Sequence, residues 1–84
     1  MTRFWPDGRP INVTGDGQGL PLSFTWQGQS HQVVEIIHRW RVDLEWWRQR
    51  VWRTYFKLRT DTGLLVIIYY DRLGRDWYLQ RLYD

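Results

Sequence analysis

The sequence predicts a mainly β protein: a small antiparallel meander of about six strands that forms a curved sheet or a small open barrel. Three observations favour this fold class. Residues Leu20 to Gln27 alternate between apolar and polar side chains, which is typical of a strand with one buried face. Turn residues separate the apolar segments, at Gly28-Gln29 and again at Asp61-Thr62-Gly63. The segment Leu64–Tyr70 is apolar throughout, which indicates a strand covered on both faces.

Length and composition limit the kind of protein. The chain has 84 residues, so we expect 1–84 to form a single domain. Seven Trp, five Tyr and three Phe provide a dense core for so short a chain. Cysteine is absent, which excludes disulfides and thiolate zinc sites. No apolar leader follows Met1 and no apolar run approaches the ~20 residues of a membrane helix, so we expect a cytoplasmic protein with no membrane partner.

The first 19 residues predict an irregular lead with a short edge strand at 10–13, because Pro10 is tolerated at the start of an edge strand. The following segment, Gly15-Asp16-Gly17-Gln18-Gly19, resembles a phosphate-binding loop in composition. No helix is expected to start at Leu20-Pro21-Leu22 and present its N-terminus to a phosphate, so we interpret the segment as a mobile loop.

Two patterns compete in the middle of the chain. The β-branched pairs Val33-Val34 and Ile36-Ile37 favour a strand at 30–41, with a bulge near Val34-Glu35 and a short helical turn near 44–48. The apolar spacing from Val33 to Trp47 also fits a helix at about 32–48, which would make the fold α+β. We favour the strand, and the sequence leaves the helix open.

The strand Val51 to Thr60 and its neighbour predict a specific pairing. A three-residue loop at 61–63 places Leu58 beside Val66 and Phe56 beside Ile68 on the inner face. The outer face then carries an apolar row formed by Leu65, Ile67 and Tyr69. Monomers seldom leave such a row bare. We therefore expect it to be covered by the N-terminal Phe4-Trp5 segment or by a second copy in a homodimer.

The charge distribution suggests a partner. Seven basic and two acidic residues lie between Arg39 and Arg59, a net charge of +5 in a chain whose total is +3. Basic side chains interleaved with aromatic ones are typical of nucleic-acid interfaces. The alternative is a solvated face whose arginine stems cover apolar surface.

Trp46 and Trp47 are adjacent, so their side chains point in different directions, and the sequence leaves open which of them is buried. The candidate nucleic-acid or partner-binding residues are Arg39, Arg41, Trp46, Trp47, Arg48, Arg50, Arg53, Tyr55, Lys57 and Arg59.

Residues for catalysis are scarce. The chain has two histidines, His31 and His38, and two serines, Ser23 and Ser30, with no carboxylate pair that the sequence holds together. We therefore expect no enzymatic activity, no metal site and no cofactor.

Short aromatic and glycine motifs over about residues 10–84 carry a resemblance to a known family. They are Pro10-Ile11-x-Val13, Phe24-x-Trp26-x-Gly28, Arg39-Trp40, Trp46-Trp47, Val51-Trp52-Arg53, Tyr70-Asp71-Arg72, Trp77-x-Leu79-x-Arg81 and Asp84. In these motifs the chain resembles a family of small bacterial proteins known only as a domain of unknown function. It departs from the family at His31, where members more often carry Tyr, and in a shorter stretch between Trp47 and Val51.

Members of that family are frequently encoded beside genes of error-prone, Y-family-type DNA polymerases. The resemblance therefore implies a role in DNA repair or as a polymerase accessory, and it supplies no catalytic residue. Together with the charge, it favours a non-enzymatic binding domain whose partner is DNA or a DNA polymerase. The alternative is a protein-interaction or self-associating module that makes no contact with nucleic acid.

Overall fold

The computed structural model describes residues 2–46 and 49–83, which form six strands. The strands are β1 (Arg3–Gly15), β2 (Pro21–Trp26), β3 (Gln29–Trp46), β4 (Gln49–Thr60), β5 (Leu65–Asp71) and β6 (Asp76–Tyr83). Each strand pairs antiparallel with the next one, which confirms the predicted antiparallel meander. Within these residues no helix is long and apolar enough to span a membrane.

The meander closes on itself, because β1 pairs with β6 as well as with β2. The N-terminal part of β1 pairs with β6 as far as Ile11, and the part from Asn12 onward pairs with β2. In the same way β3 pairs with β2 as far as Gln32 and with β4 from Val33. β1 and β3 therefore each change pairing partner partway along their length and form the corners of the sheet. The six strands form a closed barrel rather than an open one.

The predicted irregular lead is mostly strand. β1 spans 13 residues, far more than the edge strand expected at 10–13, because the lead finds a partner in β6. A large bulge interrupts this pairing: residues 5–8 separate Phe4 from Arg9, whereas only Gln80 separates their partners Arg81 and Leu79. The bulge sends Trp5 into the interior, where its ring meets Trp26 edge to face at 5.4 Å.

The strand predicted at 30–41 is confirmed as part of β3, and the alternative helix at about 32–48 is wrong throughout its described part. The helical turn near 44–48 is also wrong from Leu44 to Trp46, which continue β3, while 47 and 48 lie outside the described residues. β3 pairs with β4 from Val33 onward, and the strand preference of the β-branched pairs outweighs the helical spacing. A bulge occurs near Val34 as expected, and a second one before His38 moves the residues that follow it to the opposite face.

The hairpin turns differ in how well the sequence predicts them. β2 and β3 are joined by Gln27-Gly28 rather than Gly28-Gln29, and both residues have positive φ, 51° and 77°, which is the geometry of a type I′ turn. The loop between β4 and β5 is at 61–63 as predicted, with Gly63 at φ 86°. The predicted pairings of β4 with β5 are all present.

Inward side chains fill the barrel. The buried cluster is Phe24, Phe56, Leu58, Val66, Ile68 and Leu79, with Trp5 and Trp26 among the partly buried side chains that pack against it. The buried cluster comes from β2, β4, β5 and β6, and the bulge of β1 adds Trp5, so five of the six strands contribute these side chains to one interior.

The outer apolar row is not bare. Ile67 is 9% exposed and Tyr69 1% exposed, and Leu65 is half-buried. The side chains packed against this cluster belong to the same sheet: Trp40, Val42, Tyr78 and Tyr83. The predicted cover by Phe4-Trp5 is wrong for Trp5, which lies inside the barrel. The reason for expecting a homodimer through this row is therefore removed.

Candidate nucleic-acid interface

The basic residues between Arg39 and Arg59 are divided between the two faces of the β3–β4 hairpin. Residues directly opposite each other on antiparallel strands share a face. Arg39 lies opposite Phe56 and Arg41 opposite Thr54, so both arginines are on the inner face. Arg53, Lys57 and Arg59 lie on the outer face with Tyr55. The two groups face different surroundings and cannot form one continuous phosphate track.

The outer face carries a row of stacked rings. We call Trp40, Tyr55, Tyr69 and Tyr78 the outer aromatic row; they lie side by side on four neighbouring strands. Their successive ring centroids are 5.2, 5.1 and 5.1 Å apart, close to the ~4.8 Å between strands. The rings therefore stand on the sheet and cover each other's faces. Tyr55 and Tyr69 have no free face on which a base could stack.

The cations of the outer face are also engaged. The guanidinium of Arg53 lies 4.5 Å from the ring centroid of Tyr69 and donates a hydrogen bond to the Tyr55 hydroxyl at 3.2 Å. Burial acts to lower the pKa of Arg53, but the Tyr55 hydrogen bond and nearby phenol and carboxyl groups outweigh it and raise the pKa. Lys57 lies over the ring of Tyr83, and Arg59 pairs with Glu35 at 3.1 Å. Arg53 and Lys57 thus lie over apolar rings, and Arg59 is engaged in an ion pair.

The inner face changes character at one end of the barrel. Phe56, Ile68 and Leu79 lie in one cross-strand layer of the core and are fully buried. The next layer outward consists of Arg41, Thr54, Tyr70 and Trp77, which are opposite one another on β3, β4, β5 and β6. The mouths of β-barrels are frequent ligand sites because they combine apolar walls with a few polar groups.

This mouth holds a cleft of ≈ 610 Å³, which is within the range of about 300–1,000 Å³ that is typical of ligand sites. We call it the arginine cleft. The β1–β2 loop forms one wall and the β3–β4 hairpin the other. Its lining residues are Gly15, Gly17, Gln18, Gly19, Arg39, Arg41, Thr54, Phe56, Tyr70, Arg72 and Trp77.

The arginine cleft is electropositive. Arg39, Arg41 and Arg72 line it, and no carboxylate does. Among the described residues no carboxylate lies within ion-pair distance of these three arginines. Three acidic residues near the cleft or its arginines have other partners, and one of them, Asp71, accepts hydrogen bonds from the amides of Leu73 and Gly74. Asp16 accepts hydrogen bonds from the amides of its own loop, and Asp43 pairs with Arg50 at 3.4 Å.

One buried hydroxyl in the cleft has no partner. Thr54 is 8% exposed, and its Oγ1 makes no hydrogen bond within the part of the chain that the structure describes. Buried polar atoms are nearly always hydrogen-bonded, so an unpartnered one at a cleft indicates a place for an external group.

The histidines have structural surroundings. His31 is buried, stacks on Phe24 and shares a hydrogen bond with the hydroxyl of Thr62. His38 stacks on Trp40 at the end of the outer aromatic row. No group of three His, Asp or Glu residues that could hold a metal ion occurs among residues 2–46 and 49–83.

The cleft contains only part of the predicted site. Arg39 and Arg41 line it, and Arg50 lies beside it over the ring of Trp52. Arg53, Tyr55, Lys57 and Arg59 are on the opposite face, Trp46 ends β3, and Trp47 and Arg48 lie outside the described residues.

The sequence prediction missed four residues of the cleft and interpreted the glycine loop as a mobile loop rather than a binding site. The missed residues are Thr54, Tyr70, Arg72 and Trp77. One signal was available: Thr54 is the polar residue among the inward positions Trp52, Phe56 and Leu58.

Comparison with known protein families identifies the family to which the chain belongs. The model of a family described as Domain of unknown function (DUF6504) matches residues 7–84, a range that includes every residue of the arginine cleft. No curated protein and no solved structure matches the chain.

Proposed function

The chain belongs to the family described as Domain of unknown function (DUF6504), and we propose that it binds single-stranded DNA, with the arginine cleft as the site that binds phosphate of the strand. One observation carries the proposal: three arginines without a carboxylate partner among the described residues line a cleft that also contains two aromatic side chains.

The chemistry of the arginines supports a phosphate ligand. Guanidinium groups donate paired hydrogen bonds to phosphate oxygens and remain charged at every physiological pH. Each phosphate that they neutralise also releases counterions from the nucleic acid, which favours binding at low salt. The outer cations contribute less, because Arg53 and Lys57 already lie over tyrosine rings and Arg59 is paired with Glu35. Of the cleft arginines, Arg72 also lies over a ring, that of Trp52 at 4.8 Å.

The aromatic side chains favour a single strand over a duplex. Tyr70 and Trp77 are half-buried and line the cleft beside Arg41 and Arg72. An unpaired base can reach such rings, whereas a base inside a duplex is already stacked on its neighbours. Stacking on aromatic rings does not depend on base identity, so we expect little sequence preference.

The resemblance noted from the sequence supports a more specific role. A family encoded beside error-prone DNA polymerase genes would meet single-stranded template during DNA repair. We propose that the strand bound in the cleft is one that such a polymerase handles.

A titration of a fluorescently labelled oligonucleotide tests the proposal, with anisotropy measured at several salt concentrations. We expect binding at ~50 mM salt that weakens as salt increases. Arg39→Ala and Arg41→Ala should each weaken binding, and each should reduce the slope of log affinity against log salt by about 0.7, the value for one phosphate of a single strand. Arg59→Ala is the matched control, because it removes the same charge from the outer face.

Two results would contradict the proposal. The first is the absence of binding by the wild-type protein at ~50 mM salt, where electrostatic attraction is strong. The second is an equal loss of affinity in Arg59→Ala and Arg41→Ala, which would show attraction to the net charge rather than to the cleft.

A second candidate function is self-association through the edge of β3. From Val33 onward this strand pairs with β4 alone among the described strands, so its other edge is unpaired. Val34, Ile36 and Ile37 are exposed next to the bulges of this edge. Unpaired strand edges accept a further strand, here one from a second copy of the chain.

A further inference from the structure

The polar groups of the arginine cleft are suited to an acceptor. Guanidinium groups carry N–H donors and no acceptor, so Arg39, Arg41 and Arg72 all present donors. The unpartnered hydroxyl of Thr54 supplies one more donor, and it lies directly across from Arg41. A ligand that accepts hydrogen bonds at several oxygens would satisfy all of these groups.

The glycine loop leaves room for a close approach. Gly17 and Gly19 have φ values of 84° and 93°, and a Cβ added to either would meet nothing within 4 Å. Both glycines line the cleft, and open space surrounds the Cβ position of each. The carboxylate of Asp16 is turned back to the amides of Gln18 and Leu20. An anion can approach this wall without meeting a side chain at either glycine.

The charge of the cleft distinguishes two kinds of phosphate. A phosphodiester inside a strand carries one negative charge, whereas a terminal phosphate monoester carries about −1.5 to −2 at pH 7 and presents three acceptor oxygens. Three guanidinium groups and a free hydroxyl match the monoester better. The shape agrees, because Phe56 closes the floor at 1% exposure and a strand cannot pass through the filled barrel below it.

We propose that the arginine cleft binds the terminal phosphate monoester of a DNA strand, so that the protein recognises a phosphorylated strand end. This inference rests on the proposed DNA binding and adds which part of the strand occupies the cleft. Arg39, Arg41 and Arg72 hold the charge, and the hydroxyl of Thr54 donates to one phosphate oxygen.

The test compares three oligonucleotides of one sequence: one with a 5′-phosphate, one with a 3′-phosphate and one with hydroxyl groups at both ends. We expect one phosphorylated form to bind at least roughly tenfold more tightly than the hydroxyl form, the effect of about one additional charge-assisted hydrogen bond. Thr54→Val and Arg41→Ala should reduce this preference, and Arg59→Ala should leave it unchanged. Thr54→Val preserves shape and removes an unpartnered hydroxyl, so the variant should melt no lower than the wild type.

The possible outcomes separate this inference from the proposed function. Equal affinity for all three oligonucleotides overturns the strand-end inference and leaves DNA binding intact, whereas no binding to any of them overturns both. A preference that Thr54→Val and Arg41→Ala leave unchanged also overturns the inference, because the phosphorylated end would then be bound elsewhere.

A competition experiment with a deoxynucleoside monophosphate distinguishes a strand end from a free nucleotide. If the monophosphate binds as tightly as the phosphorylated oligonucleotide, the ligand is a free nucleotide and the strand-end inference is wrong.

Discussion

The arginine side chains of this protein have two kinds of surroundings, and the face of the sheet on which each one lies decides which. Arg53 shares its face with Tyr55 and Tyr69, so its guanidinium lies over a ring and donates to a phenol. Arg41, opposite Thr54, extends over the barrel mouth, where the described residues offer it no carboxylate. Removal of Arg53 should therefore lower stability, while removal of Arg41 should lower affinity for phosphate.

Tyr69 provides a prediction about pH. Burial raises the pKa of Tyr69 above its ordinary value of 10.0, and Arg53 opposes this only in part. The folded protein therefore keeps this proton to higher pH than the unfolded chain does. The stability that it contributes is complete below pH ~10 and is lost as pH rises through the folded pKa. We expect the free energy of unfolding to fall more steeply above pH ~10 in the wild type than in Tyr69→Phe.

Chemical denaturation between pH 8 and 11 measures this difference. At pH 8 the Tyr69→Phe variant should be less stable by about 1 kcal/mol, because it loses the hydrogen bond that Tyr69 donates to the carbonyl of Asp7 at 2.9 Å. The two curves should converge as pH rises. A constant gap across the whole range would show that the Tyr69 proton is not linked to folding.

At the scale of elements, the bulge in β1 connects the two sides of the sheet. Trp5 enters the interior against Trp26, while two residues later the carbonyl of Asp7 accepts a hydrogen bond from Tyr69 on the outer face. Gly8 follows at φ 75°, in close contact with Tyr69 and Tyr78. One irregular segment thus fixes a core residue and covers one end of the outer aromatic row.

Gly8→Ala tests the importance of this bulge. An added Cβ would lie 2.7 Å from the Cβ of Tyr78 and 2.8 Å from the hydroxyl of Tyr69, in addition to the unfavourable φ. We expect a loss of roughly 2–5 kcal/mol, the sum of a left-handed backbone and an overpacked contact. Gly63→Ala is the control, since it has a φ of 86° with nothing within 4 Å. It should lose only about 1–2 kcal/mol in the same urea titration. Equal losses would show that the contact with the tyrosines is unimportant.

At the scale of the whole molecule, the barrel has two buried apolar layers rather than one. The inner cluster fills the interior, and the outer aromatic row forms a second layer beneath Arg53 and Gly8. A short chain has a high ratio of surface to volume, so burying rings on both faces of β5 adds to its stability. The side chains that pack against the buried residues of this second layer come from neighbouring strands of the same sheet.

Light scattering on two variants shows which surface is responsible for any self-association, the outer apolar cluster or the unpaired edge of β3. Ile67→Glu places a charge in the buried outer cluster, so we expect it to lower stability by more than about 2 kcal/mol without changing molecular mass. Ile37→Lys adds a charge at the exposed edge of β3 and should lower the mass of any oligomer while the fold remains stable. If Ile67→Glu instead converts a dimer into stable folded monomers, the outer row is an interface after all.

The sequence alone determined the features that depend on neighbouring segments. A loop of three residues with Gly63 in the left-handed region sets the register of β4 against β5, so Phe56 meets Ile68 and Tyr55 meets Tyr69 as predicted. The alternation of apolar residues likewise assigned β4 its inner and outer faces. For the candidate site, the charge pattern identified Arg39 and Arg41 among ten residues.

Tertiary structure decided everything that joins distant parts of the chain. The pairing of β1 with β6 closes the barrel, yet the two strands are separated by most of the sequence and leave no local pattern. The bulge before His38 reverses the faces of the residues after it, so the basic window is divided between two surfaces. The arginine cleft combines the glycine loop, β3 and Arg72, which only closure of the sheet brings together. Periodicity reports which side of a strand is buried, but it does not report which distant strand lies beside it.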